Sequence, residues 1–452
     1  MRETKFKKTE LGKIPEDWDV KTIDDIKGKK PYSIAMGPFG SNITKDNFLP
    51  SGVPVIRGGN LNSEKFNELE FVFISEAKAD SLKSSNAFPK DIVITHRGTL
   101  GQVGIIPVNS KYKRYVVSQS QMKMRCDESI ADPDFVFYYL RSPQGQYLLL
   151  QNTSTTGIPA IAQPLTSLKK ILIPLPNLQE QRYIASLLGT LDDKIALNRS
   201  INTNLEAIGQ ALFKHWFVDF EFPDGEGRPY RSSGGEMVET ELGDVPKGWR
   251  VSKVGKELET ILGGTPDRTN TNYWTKGTIP WINSGKVNEF RIIEPTEYIT
   301  KEAMEKSATK MLPKRTTVLA ITGATLGQVS ILEIGSCANQ SVVGILESEI
   351  ISSEYIYFWT KHIIDYVISW QTGGAQQHIN KENINNSPLL VPDNKILIKY
   401  AAILKPIFDK IASNSFESLN LSKIRDALLP KLMSGEVRVM DAEGFGKEIY
   451  IC

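Results

Sequence analysis

Polar residues on glycine-containing loops recur at matching places in the two halves of the chain. Arg57-Gly58-Gly59-Asn60 and Asn283-Ser284-Gly285-Lys286 each follow a short apolar run. His96-Arg97-Gly98-Thr99 and Thr322-Gly323-Ala324-Thr325 each precede Leu-Gly-Gln-Val, and the loops at 155–157 and 373–378 close each half. Arg, Asn and Gln present donors and acceptors that match guanine and adenine edges, and glycine lets a backbone come close to a ligand. Ordinary surface turns have the same composition, so the loops alone leave both readings open.

The chemistry that is missing narrows the choice. The sequence has no G-x-x-x-x-G-K-[ST] loop, no G-x-G-x-x-G, no H-E-x-x-H and no Asn/Asp-Pro-Pro-aromatic tetrapeptide. No phosphate cradle, zinc peptidase site or amino-methyltransferase site is therefore readable. GTLGQVG (98–104) recurs without its first and last glycines, which fits a turn better than a nucleotide cradle. His96, His215, His362 and His378 lie in separate segments without ligand spacing, and Cys126, Cys337 and Cys452 are too far apart for a disulfide framework or a zinc site. The expectation is no catalytic residue, no metal and no cofactor on this chain, with a cytoplasmic location.

Composition sets the scale of what must hold these loops. A chain of 452 residues suggests two to four domains. Its net charge of +2 is too small for a protein held on nucleic acid by charge alone. No apolar run approaches the roughly 20 residues of a membrane helix.

The chain is one unit written twice. ELGKIPEDWDV (10–20) matches ELGDVPKGWRV (241–251), GVPVIRGGN (52–60) matches TIPWINSGK (278–286), and TLGQVGI (99–105) matches TLGQVSI (325–331). SQSQ (118–121) then pairs with NQSV (339–342), and DFVFYYL (134–140) with EYIYFWT (354–360). A collinear series with a slowly drifting offset means duplication followed by divergence. Short β-branched and aromatic runs such as DIVIT (91–95) predict β-rich globules.

Over 179–216 and 395–432 the apolar period becomes helical. The first seam runs through Ile184, Leu188, Leu191, Ile195, Asn198, Asn202, Leu205 and Leu212, and the second through Leu404, Ile407, Ile411, Asn414, Ser418, Leu421, Leu428 and Leu432. Helices of this length span roughly 50 Å. The fold class expected is α+β: two similar mixed, β-rich globules separated by two long helices packed as an antiparallel coiled coil, with an internal pseudo-two-fold repeat. The boundaries expected are 1–176 and 241–392 for the globules, 177–218 and 393–440 for the helical regions, 219–240 for an exposed connector and 441–452 for a tail.

The run PLPNLQEQRYIASLLGTLDDKIALNRSINTNLEAIGQALFKHWFVDFEFP (174–223) closely resembles the central conserved region of the specificity (S) subunit of type I restriction-modification systems. IPEDW and VPKGW, the R-G-T-L-G and Gln-Ser turns and LLPKLMSGEVRV (428–439) complete the family's order over essentially the whole chain. The second copy departs in lacking the Gln-Glu-Gln of 179–181 and in placing Gly323 opposite Arg97.

The resemblance implies a non-catalytic reader of double-stranded DNA. Each globule would be a target recognition domain for one half of a bipartite, asymmetric site, with the helices setting the spacer. Two methyltransferase (M) subunits carrying S-adenosylmethionine would dock on the helices, and restriction (R) subunits using ATP and Mg would join them. Arg57, Asn60, Arg97, Thr99, Gln102 and Gln119 would contact the first half-site, and Asn283, Lys286, Thr325, Gln328, Gln340 and Gln377 the second. Docking would use Gln181, Ile184, Leu188, Leu191, Ile195, Leu205, Leu212, Leu404, Ile407, Ile411, Leu421 and Leu428. The readings left beside this one are a tandem-repeat coiled-coil scaffold for proteins or ligands and a single-chain restriction-modification enzyme.

Overall fold

A computed structural model describes residues 5–61, 65–154, 156–370 and 378–439. The chain forms two compact units, 1–197 with 418–452, and 198–417. Both long helices, Leu178–Phe217 and Asn394–Ser434, contribute one half to each unit. The compact units thus cut across the sequence-based boundaries between globule and helix, because each half-helix is packed into the core of its own globule.

In the first unit an antiparallel sheet runs in the order Ile34–Met36, Gln121–Met124, Ile92–Thr95, Val103–Ile105. A second sheet has the order Val72–Ile74, Val53–Ile56, Tyr115–Val117, Asn86–Ala87, with Val53–Ile56 and Tyr115–Val117 parallel. Several of these strands are buried along their whole length. That explains why 53–56, 92–95 and 115–117 read as continuous apolar runs with little alternation. Leu172–Leu175 pairs with Asp19–Thr22 and carries the chain to the first long helix.

The second unit repeats this plan. Its antiparallel sheet is Thr260–Leu262, Val342–Ile345, Thr317–Ala320, Val329–Ile331, and its mixed sheet is Glu297–Ile299, Ile279–Ile282, Cys337–Ala338, with the last two parallel. Arg250–Lys253 pairs with Pro388–Val391. Tyr139 donates its hydroxyl to Leu172 O at 2.8 Å in the first unit, and Trp359 donates its indole N–H to Pro388 O at 3.0 Å in the second. The same anchor survives a change of residue type.

Within each unit the half-helices run antiparallel. Ile184, Leu188, Leu429 and Leu432 share the core of the first unit, where Asp192 accepts from both Tyr138 and Arg425 at 2.7 Å. In the second unit the seam is polar at its centre. Asn414 Nδ2 donates to Asn202 Oδ1 at 2.9 Å, Asn202 Nδ2 to Ile411 O at 3.2 Å, and Asn198 Nδ2 to Glu417 Oε2 at 2.8 Å. Three buried asparagines that bond across the helix pair favour a single register over its neighbours, because a slip would strand them without partners.

Candidate nucleic-acid interface

In the first unit the loops at 57–61, 96–102 and 118–120 leave neighbouring strand ends. Ser118 N donates to Ile56 O at 3.0 Å, Thr95 N to Gln102 O at 3.0 Å and His96 N to Ser120 O at 2.9 Å. Arg57, Arg97, Thr99 and Gln119 are exposed on this edge. His96 is buried, and burial pushes its pKa down; its Nε2 lies 3.1 Å from Gln119 O and, since a carbonyl only accepts, donates to it.

Beneath the exposed tips lies a polar lattice. Thr95 Oγ1 donates to Gln102 Oε1 at 2.9 Å, Gln102 Nε2 to Gly58 O at 3.2 Å and Gln121 Nε2 to Thr95 Oγ1 at 3.2 Å, while Ser118 bonds to Gln121. Gln102 is therefore occupied in holding two loops together. Asn60 is buried and turned inward: its Oδ1 accepts from Arg57 N at 2.9 Å, and its Nδ2 donates to Asn67 O at 3.1 Å and Leu69 O at 3.0 Å. Both residues were expected as contacts. The structure makes them supports of the loop that carries Arg57.

The second unit keeps the frame and changes the tips. Asn339 N donates to Ile282 O at 2.9 Å, Ala320 N to Gln328 O at 3.0 Å and Ile321 N to Ser341 O at 2.9 Å, matching the three frame bonds of the first unit. Ala320 and Val342 stand where Thr95 and Gln121 stand, so the polar lattice has no counterpart, and Gln328 is exposed. Asn283 caps its turn by accepting from Lys286 N at 3.3 Å, and Lys286 Nζ reaches Glu289 at 2.7 Å. Thr325 Oγ1 donates to Thr322 O at 3.3 Å. Gln340 is exposed and accepts from Thr265 Oγ1 at 2.5 Å. Gln377 lies outside the described residues.

The backbone also corrects one alignment. Arg97 bridges Ala160 as Thr322 bridges His378, and Gly98 and Gly323 both take positive φ, +93° and +66°. The residue opposite Arg97 is thus Thr322, not Gly323, and the second loop carries one extra residue, Ala324. Glycine is required at both places because other residues rarely adopt this region.

The family described as the type I restriction modification DNA specificity domain matches this chain twice, over residues 15–207 and 246–421. The chain belongs to this family. Its similarity extends to the MjaIX type I restriction enzyme specificity subunit of Methanocaldococcus jannaschii, 27% identical over 97% of each chain. The HindI type I restriction enzyme specificity subunit of Haemophilus influenzae is also 27% identical, over 90% of this chain and 99% of its own. The fold resembles the crystal structure of a type I restriction-modification S subunit from M. genitalium, with a TM-score of 0.57, 17% identity and coverage of 92% and 96%. The chain takes the place of a specificity subunit of type I restriction-modification systems.

Relative to that role, the residues expected to dock partners face inward. Gln181, Ile184, Leu188, Ile195, Leu404, Ile411 and Leu421 are buried, and Leu191, Leu205, Leu212, Ile407 and Leu428 are half-buried. Gln181 accepts from Asp132 N at 2.8 Å and donates to Pro176 O at 2.8 Å, which fixes the start of the first long helix. The apolar period marks the side of a helix that its own fold covers. The large exposed apolar side chains of the long helices are Leu197 and Ile424 in the first unit and Ile208, Ile398 and Ile403 in the second. Among the described residues no group of three or more His, Cys, Asp or Glu could hold a metal, and no helix is long and apolar enough to cross a membrane.

Proposed function

We propose that this chain is a non-catalytic DNA reader, with residues 1–176 and 241–392 as target recognition domains for the two halves of a bipartite, asymmetric site. The observation that carries the reading is the shared frame with altered tips: three backbone bonds are kept while both exposed arginines, Arg57 and Arg97, give way to Asn283 and Thr322. A common scaffold presents two chemistries, so two unlike half-sites are read. Arg57, Arg97, Thr99 and Gln119 act on the first half-site, and Asn283, Lys286, Thr325, Gln328, Gln340 and Gln377 on the second. The helical regions 177–218 and 393–440 set the unread spacer, joined to the globules by the connector 219–240 and followed by the tail 441–452.

In this reading two M subunits bring S-adenosylmethionine, R subunits bring ATP and Mg, and the assembly works in the cytoplasm. Deleting this chain in its host should erase one methylated, bipartite motif from single-molecule sequencing of the genome, and restoring it should return that motif. A methylation map that is identical with and without the chain would overturn the proposal. Docking falls to the outward faces of the helices. Ile208→Asp should reduce co-purification of M subunits at least tenfold while circular dichroism stays unchanged, since an exposed position tolerates charge in the free chain. Full recovery of the M subunits would remove the docking role from that face.

A further inference from the structure

The matched loops of the second unit have lost both arginines of the first: Asn283 stands for Arg57 and Thr322 for Arg97. Another arginine lies close by. Arg268 sits on the loop that follows Thr260–Leu262, and its guanidinium carbon is 3.6 Å from the ring centre of Trp274 and 4.8 Å from that of Trp281. Trp281 is the penultimate residue of Ile279–Ile282, the strand that leads into the Asn283 loop. The two indoles meet edge to face at 5.3 Å, and each N–H is tied to the arginine's own loop, Trp274 to Asp267 O at 3.1 Å and Trp281 to Gly264 O at 3.2 Å. On the other side, Thr265 of the same loop bonds to Gln340.

One edge of the guanidinium is held by Glu297, Nη1 to Oε2 at 2.7 Å, and the Arg268 side chain remains 48% exposed. Trp281 belongs to the core it shares with Ile299, Ala303 and Cys337, with Trp274 packed on its outer side. An exposed ion pair of the Arg268 kind adds little to stability, so folding accounts for the tryptophans but not for the arginine laid over them. Stacking and the acid do something else: they remove the rotamer freedom of a long side chain and leave a planar donor fork turned to solvent. The acceptor pair that such a fork matches in the major groove is O6 and N7 of guanine.

We infer that Arg268 is a specificity-determining residue of the second globule, reading a guanine in its half-site, with Trp274, Trp281 and Glu297 as positioning residues. The assignment rests on the DNA-reading function proposed above. It is tested with the complex of this chain and its M subunits, measuring methyl transfer to duplexes in which single guanines are replaced by 7-deazaguanine, which lacks N7. One guanine of the second half-site should lower the wild-type rate on the order of tenfold when replaced. Arg268→Lys keeps the charge and loses the fork, so it should show a similar loss on ordinary DNA and no added loss on the modified duplex.

The inference is overturned if no guanine of that half-site responds in the wild type, or if Arg268→Lys keeps the wild-type rate. It is equally overturned if Arg268→Lys weakens all sequences alike, which marks a phosphate contact. A wild-type complex without any bipartite preference overturns the underlying function instead.

Discussion

Arg291→Ala should destabilise the second unit by about 3–5 kcal/mol, the range for removing one partner of a buried ion pair. The Arg291 side chain is 1% exposed. Its Nη2 meets Glu206 Oε2 at 3.0 Å, and its Nη1 donates to Phe290 O at 2.9 Å and Tyr357 OH at 3.2 Å. Glu206 belongs to the first long helix and also accepts from Tyr357 at 2.7 Å and Lys361 at 3.0 Å. Burial alone would raise the pKa of Glu206, but Arg291 and Lys361 outweigh it and hold the carboxyl below its usual range.

Glu333 is different. It is fully buried, with Arg315 at 3.5 Å, Arg291 at 3.8 Å and Lys314 at 3.9 Å, and burial prevails to push its pKa up. Removing Arg291 leaves Glu206 with less compensation and Glu333 with one fewer cation. Urea unfolding should report the loss, and hydrogen exchange should quicken at 279–299 and 317–345 while 92–124 is unchanged. Adding Glu206→Gln to Arg291→Met should recover part of the stability, because the stranded charge is then gone. If Arg291→Ala unfolds at the wild-type urea concentration, the cluster is not what binds this half of the helix to its globule.

What the sequence made legible follows from where the constraint lies. The repeat showed through because turns such as Leu-Gly-Gln-Val need glycine at positive φ, at Gly101 (+85°) and Gly327 (+84°), so those residues resist divergence. Strand runs and helical periods were readable for the same local reason. The roles of polar residues were not local. Asn60 and Gln102 have the right chemistry for bases, yet their partners, Asn67, Leu69, Gly58 and Thr95, come from chain folding back on itself.

Arg268 was missed because its setting depends on sheet register, which puts Trp281 opposite Glu297, and on a loop from another strand. A useful signal was nonetheless present: two tryptophans and an arginine within the fourteen positions 268–281 are a costly composition for an ordinary turn. Periodicity likewise gave the buried side of the long helices and not the side offered to partners. Exposed Leu197, Ile208 and Ile403 stand outside the seam.

Gly37→Ala should have the largest effect on reading the first half-site without touching a single exposed polar residue. Gly37 N donates to Gln121 O at 2.9 Å, and a Cβ at Gly37 would lie 1.8 Å from Ser118 O and 2.4 Å from Ser118 C. Both partners are backbone, so no side chain can swing away. The second unit repeats the approach at Gly263, whose Cβ would lie 2.1 Å from Asn339 O. The only relief is to move the turn at 118–120, which carries Gln119, or the loop after Ile34–Met36, which exposes Phe39.

Overpacking of this kind costs about 3 kcal/mol, and a reading group displaced by about 1 Å can lose on the order of 100-fold in rate. Gly37→Ala should therefore lower the urea midpoint and reduce methylation of the full site by about that factor. Gly263→Ala should do the same through the other half-site. Gly59→Ala is the control for stability: nothing lies within 4 Å of its Cβ, so its unfolding should stay within about 0.5 kcal/mol of wild type. A Gly37→Ala protein with normal stability and normal methylation would mean that the turn at 118–120 yields freely, and the rigid frame on which the two readings are mounted would have to be abandoned.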